Sequence, residues 1–139
     1  MLGKSVNELK IGDQAEFSKT VSESDIYLYA GITGDFNPAH VNQAYAEKTF
    51  FKSRIAHGLL SAGLISAVIG TILPGPGTIY LKQELSFIAP VYIGDTITAS
   101  VEVVEVNVSK NHVLLKTICR NQENKNIIEG QALVSPPKK

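Results

Sequence analysis

The sequence predicts an α+β fold in which an antiparallel sheet wraps around one long buried helix, and three observations carry that prediction. Residues 58–73 are almost continuously apolar, and a helix that is apolar all round is buried on every side. Its small residues, Ser61, Ala62, Gly63, Ser66, Ala67 and Gly70, suit close packing against something flat. After Pro74-Gly75-Pro76-Gly77 reverses the chain, segments with period-two alternation follow to the C-terminus, which is the pattern of a sheet with one covered face.

The elements follow in order. Residues 14–21 read as a first strand. Ser22, with Asp25 three residues on, forms a capping-box pattern in which Asp replaces the usual Glu or Gln. Ile26, Tyr29, Ala30 and Thr33 then fall at helical spacing on one face. Asn42 suits the cap of a shorter helix running through Ala44, Tyr45 and Ala46 to about Thr49. The apolar helix itself would span about 24 Å, short of the roughly 30 Å hydrocarbon core of a bilayer. It also lies mid-chain, without basic flanks or aromatic anchors, so it reads as a core helix and not a membrane span.

Beyond the reversal, Ile79, Leu81, Leu85 and Phe87 alternate with Tyr80, Lys82, Glu84 and Ser86. Residues 96–103 set Ile97, Ala99, Val101 and Val103 against Thr98, Ser100 and Glu102. Two further β-type segments, about 112–120 and 127–135, flank the polar turn 121–126, a hairpin signal. Residues 1–135 are thus expected to form a single domain, with Pro136-Pro137-Lys138-Lys139 as a frayed tail.

Thirteen basic residues balance thirteen acidic ones. Zero net charge disfavours a nucleic-acid binder, which needs a basic footprint to release counterions, and equally a polybasic membrane patch. One cysteine, Cys119, permits neither an intrachain disulfide nor a cysteine zinc site. The N-terminal residues carry no apolar signal segment, and a cytoplasmic protein is expected.

The segment Gly34-Asp35-Phe36-Asn37-Pro38-Ala39-His40 is the chemically informative one. It places a carboxylate and an imidazole five residues apart in a stretch that Pro38 is expected to keep out of a helix, where a loop can aim both at one point. An Asp and a neutral His converging on one water can hold it, take its proton and return a proton elsewhere. The same residues also suit ordinary turn chemistry, with Asp35 and Asn37 as turn formers and His40 at the surface.

The other candidates have plainer readings. His57, at a helix start, is expected to orient backbone, and His112 opens a strand at the surface. No His-x-x-x-His spacing suggests a metal, and no Gly-x-Gly-x-x-Gly suggests a nicotinamide or flavin site. Cys119 reads as a packed structural thiol. Gln83 interrupts the apolar face of its strand, as a polar group hydrogen-bonded at the sheet's rim or as a pocket group.

The run from Tyr29 to His40, Tyr-Ala-Gly-Ile-Thr-Gly-Asp-Phe-Asn-Pro-Ala-His, continuing to Ala46, resembles the signature of the hydratase 2 family. These are the R-specific enoyl-CoA hydratases, also called MaoC-like dehydratases. The similarity extends through Ala56-His57-Gly58, residues 74–81, 83–87, Pro90-Val91 and Gly94-Asp95, nearly the whole chain. Ala39 stands where a larger aliphatic is usual, and Asn42 where an Asp is frequent.

The resemblance implies the hotdog fold and reversible syn addition of water to a trans-2-enoyl-CoA, giving the R-3-hydroxyacyl-CoA, on short to medium acyl chains. It implies Asp35 and His40 as the catalytic pair, the backbone N–H of Gly58 as oxyanion donor, and Asn37 and Ser66 in support. Leu64, Ile69 and Val134 match positions near the acyl pocket. It further implies a homodimer with the pantetheine tunnel near the subunit boundary, and no metal or cofactor beyond the substrate's coenzyme A. That anionic ligand asks for a local basic cluster, drawn from Lys52, Arg54 or Lys82. A hotdog fold also hosts thioesterases, dehydratases acting on acyl carrier protein, and non-catalytic subunits that complete a partner's tunnel. The Asp35/His40 spacing favours hydration among these.

Overall fold

The computed structural model describes residues 1–139. The chain runs β1 (Gln14–Thr20), α1 (Glu23–Thr33), α2 (Pro38–Val41), α3 (Gln43–Ala46), α4 (Gly58–Thr71), β2 (Ile79–Phe87), β3 (Thr96–Asn107), β4 (His112–Arg120) and β5 (Asn126–Ser135). The strands form one antiparallel sheet in the order β1-β3-β4-β5-β2. The sheet curls around α4, which packs on β1, β3 and β4. This is the hotdog arrangement.

Alternation explains the core. On β3, Ile97, Ala99, Val101 and Val103 all face inward and are fully buried, against Val113, Leu115 and Cys119 of β4 and Ile65, Val68 and Ile69 of α4. Burying each of the larger aliphatics is worth roughly 1.5–3 kcal/mol. Period two breaks near Val103, where a bulge shifts the β3–β4 register before Glu105. An inserted residue flips the alternation, so the strand continues to Asn107, four residues beyond its clean pattern.

Two expectations are corrected. The apolar helix is not buried on every side: Ser61, Ile65, Val68 and Ile69 are covered, whereas Leu59, Gly63, Ser66 and Gly70 form an exposed stripe. Nor is the apolar face of β2 covered, since Ile79, Leu81 and Phe87 stay exposed on this edge strand. Within one chain nothing covers either surface.

Gln83 takes the simpler of its two roles. Its amide crosses β5 to Thr117 Oγ1 at 2.9 Å and to the Gln131 carbonyl at 3.1 Å, and it also accepts from the Tyr80 hydroxyl. His112 opens β4, half-buried. Cys119 is fully buried, and burial pushes its thiol up to about 12.

The α1 capping box forms as the sequence predicts. Ser22 Oγ accepts the Asp25 N–H at 3.1 Å, and the Asp25 carboxylate accepts the Ser22 N–H at 2.9 Å. That backbone hydrogen bond, with Lys19 2.9 Å away, holds the Asp25 carboxyl below the usual range. A depressed folded-state value stabilises above the unfolded pKa and ceases to as pH falls through the folded one. Asp25→Asn is therefore expected to cost about 0.5–1 kcal/mol at neutral pH. In urea titrations the deficit should narrow once the pH drops below about 4.

Candidate active site

The dyad-bearing turn is built by consecutive caps. Gly34 ends α1 in the left-handed region, at φ 81°, and its N–H closes on the Ala30 carbonyl. Thr33 Oγ1 accepts the Asp35 N–H, and Asp35 Oδ1 accepts the Asn37 N–H, both at 3.2 Å. Asn37 Oδ1 in turn accepts the Ala39 N–H at 3.0 Å, capping α2. Pro38 does not exclude a helix here, contrary to the expectation above. It occupies the first turn of one, where its missing N–H would have had no partner. Asn37 thus shapes the turn and does not face the cavity.

His40, in the last turn of α2, has its ring nearly buried, and its Nδ1 lies 2.7 Å from the Ile55 carbonyl oxygen. A carbonyl only accepts, so Nδ1 carries the hydrogen and Nε2 of the neutral ring keeps a bare lone pair. Asp35, exposed at the mouth, brings a carboxylate oxygen into the same cluster, where the donor atoms of Asp35, His40 and His57 lie within 4.8 Å of one another. The His40 and His57 rings pack with centroids 3.9 Å apart and planes 31° apart, and the Tyr29 ring lies 4.5 Å from that of His57. His40 Nδ1 and His57 Nε2 each face a backbone carbonyl oxygen, which leaves one nitrogen on each ring beside the Asp35 carboxylate, a set that can hold and move a proton.

These groups line a cavity of about 490 Å³ whose walls are mostly apolar, among them Phe51, Leu59, Phe87, Ile88 and Ile128. The N-terminus of α4 opens into it at Gly58. The Gly58 N–H finds no acceptor within the chain, as first-turn N–H groups do not, and the helix dipole makes that end attractive to negative charge. The absence of a side chain here matters: an added Cβ would meet the Phe87 ring at 2.7 Å.

Sequence reasoning and structure part company on the supporting residues. Ser66 is exposed, about 140° round α4 from Ser61 at the 100° per residue of a helix. Ser61 instead lines the cavity, buried, and its Oγ has no partner within the chain. The signal was available, because Ser61 stands one turn from Gly58 and so shares its face. Leu64 packs half-buried against the core, and Ile69 and Val134 lie within it; none lines the cavity. Val134 sits six residues along β5 from the lining residue Ile128, roughly 20 Å at the rise of a strand.

The cationic candidates separate as well. Arg54 is held by Tyr27 at 2.6 Å and Glu23 at 3.1 Å, and Lys82 by Glu84 at 3.2 Å. Lys52, next to the lining residue Phe51, has no acidic partner within 4 Å.

An antiparallel sheet around one helix, with an Asp/His pair facing that helix's N-terminus, defines a class that the comparisons identify: the model of the MaoC like domain matches residues 6–124, and the chain belongs to that family. It is 56% identical over 130 residues to the (R)-specific enoyl-CoA hydratase of Rhodospirillum rubrum, covering 94% of this chain and 90% of that one. It is 46% identical to the 3-hydroxybutyryl-CoA dehydratase of Methylorubrum extorquens, covering 95% of this chain and 83% of that one. Among solved structures, the unliganded R-hydratase PhaJ1 of Pseudomonas aeruginosa superposes with a TM-score of 0.93 at 45% identity, over 99% of this chain and 88% of that one.

Proposed function

We propose that this protein is an R-specific hydro-lyase that interconverts trans-2-enoyl-CoA and (R)-3-hydroxyacyl-CoA of short to medium chain length. The observation that carries the reading is the convergence of the Asp35 carboxylate and the His40 ring, whose Nδ1 is taken by the Ile55 carbonyl, in an apolar cavity that also holds the unclaimed Gly58 N–H. Relatives named for coenzyme A substrates favour it over an acyl-carrier-protein dehydratase or a thioesterase, and the intact dyad argues against a non-catalytic subunit.

Water bridges the Asp35 carboxylate and His40 Nε2, both acceptors, which leaves an oxygen lone pair directed at the substrate. Hydroxide adds to the β-carbon as one member of the pair takes the proton. The electron pair of the double bond moves toward the thioester, and its oxygen, now negative, accepts from the Gly58 N–H and the helix N-terminus. The pair then returns a proton to the α-carbon, on the face that received the hydroxyl. Oxygen and hydrogen balance, and the dyad is restored. Backbone dipoles supply the polarisation, so the step needs no cofactor beyond the coenzyme A of the substrate.

Lys52 is the best placed of the three expected cations to meet its phosphates. The exposed α4 stripe and the uncovered face of β2 are assigned to a second copy of this chain, with the tunnel near the boundary. A sedimentation mass of one chain would remove that part of the reading. No helix is long and apolar enough to cross a membrane, and a cytoplasmic setting fits the single buried thiol.

The test follows loss of crotonyl-CoA absorbance and couples the product to R- and S-specific 3-hydroxyacyl-CoA dehydrogenases. Consumption with coupling only to the R-specific enzyme is expected. An S product, or no consumption, contradicts the proposal.

A further inference from the structure

His57 is 3% exposed and occupies the N-cap position of α4, yet its side chain makes no cap hydrogen bond. Residues favoured at an N-cap do the opposite: they accept from the first helical N–H groups and quench the positive helix end. The His57 ring turns away and places Nε2 2.9 Å from the backbone carbonyl oxygen of Asp35. Since that oxygen can only accept, Nε2 carries the hydrogen and donates it.

The ring packs against both His40 and Tyr29. Both members of the dyad are therefore tied to one three-residue segment. His40 is tied through the Ile55 carbonyl, and the Ile55 N–H returns to Ala39 at 3.2 Å. Asp35 is tied through His57. The next residue in the chain is Gly58, whose N–H is the oxyanion donor of the proposed reaction.

Resting on that reading, we propose that His57 is a positioning residue that sets the distance between the Asp35/His40 pair and the oxyanion-binding end of α4, while leaving that end unclaimed. Its Nε2–H is committed to the Asp35 carbonyl, and its Nδ1 is buried without a partner in the chain; the positioning role runs through the Nε2 link alone.

The geometry dictates the variants. Glutamine reaches as far as histidine Nε2 and ends in an N–H donor, so His57→Gln keeps the link to Asp35. Asparagine stops at the position of Nδ1 and is also a strong N-cap. His57→Asn thus loses the link and covers the helix end. His57→Ala loses the link alone.

The experiment measures kcat and KM for crotonyl-CoA hydration, with the pH profile of kcat/KM, in the wild type and the three variants, each checked by thermal melting. Expected are a fall of about 100-fold in kcat for His57→Ala, the scale of a small misplacement of reacting groups, and KM within about threefold. His57→Asn should lose kcat at least as severely without a lowered Tm, a separation that a purely structural role does not give. His57→Gln should keep kcat within about tenfold, with the pH profile unchanged in shape. Wild-type inactivity would sink the hydratase reading and this one with it. With an active wild type, the positioning role is overturned if folded His57→Gln is as slow as His57→Ala, the mark of an acid–base histidine, or if His57→Ala turns over normally.

Discussion

Asp35→Ala and His40→Ala each lower kcat for crotonyl-CoA hydration by about 10²- to 10⁴-fold, the range of a positioned general acid–base group, while the protein stays folded. The fold survives because neither side chain belongs to the core. Asp35 lies exposed with one local hydrogen bond, to the Asn37 N–H, and His40 stands outside the apolar core cluster, held by Ile55 and packed on His57. The double variant is expected to be little slower than either single one. The two groups act on the same water, so removing one already ends its activation, and effects within such a unit do not add. Steady-state kinetics with purified variants checks this. A double variant slower by the product of the two single effects would mean that Asp35 and His40 act in separate steps.

Gly130→Ala is expected to destabilise the protein by more than about 3 kcal/mol, at the severe end for a point change. Gly130 on β5 pairs with Leu85 on β2 and with Thr117 on β4. A Cβ there would lie 1.8 Å from the Glu84 carbonyl oxygen and 3.1 Å from Leu85 Cα. These are backbone atoms of a paired strand, and no rotamer change moves them aside. β2 would have to slip or detach, taking Phe87 away from the cavity that it lines. Thermal melting should show a fall in Tm of roughly 10 °C or more, together with lost activity. Gly31→Ala is the control. A Cβ on this α1 glycine meets nothing within 4 Å, and alanine should stabilise by about 0.5–1 kcal/mol.

What the sequence made legible was the local chemistry. The Ser22/Asp25 box, the Asn42 cap and the hairpin turn each depend on residues a few positions apart, and each forms. Alternation placed the β3 core residues because one face of that strand is covered within the chain. It failed on β2, where the same alternation meets no covering layer. Pro38 misled because its two compatible settings, a turn and the first residue of a helix, share one φ value. The dyad was legible as a spacing, although spacing alone left a simple turn open. Its clamp was not, since the ties from His40 to Ile55 and from His57 to Asp35 span 15 and 22 residues. Ser66 and Val134, matched by position along the chain, lie away from the cavity of this chain. A position matched along the chain says nothing about helix azimuth or about which end of a strand meets the cavity.

The central claim is that one Asp35/His40 pair, on one side of the substrate, supplies both the hydroxyl and the proton. Hydrating crotonyl-CoA in D₂O tests it most directly, with the relative configuration at the α- and β-carbons read from the vicinal proton coupling of the product. Deuterium and hydroxyl on the same face is the predicted result. Anti addition would require a proton donor on the opposite wall of the cavity and would contradict the mechanism.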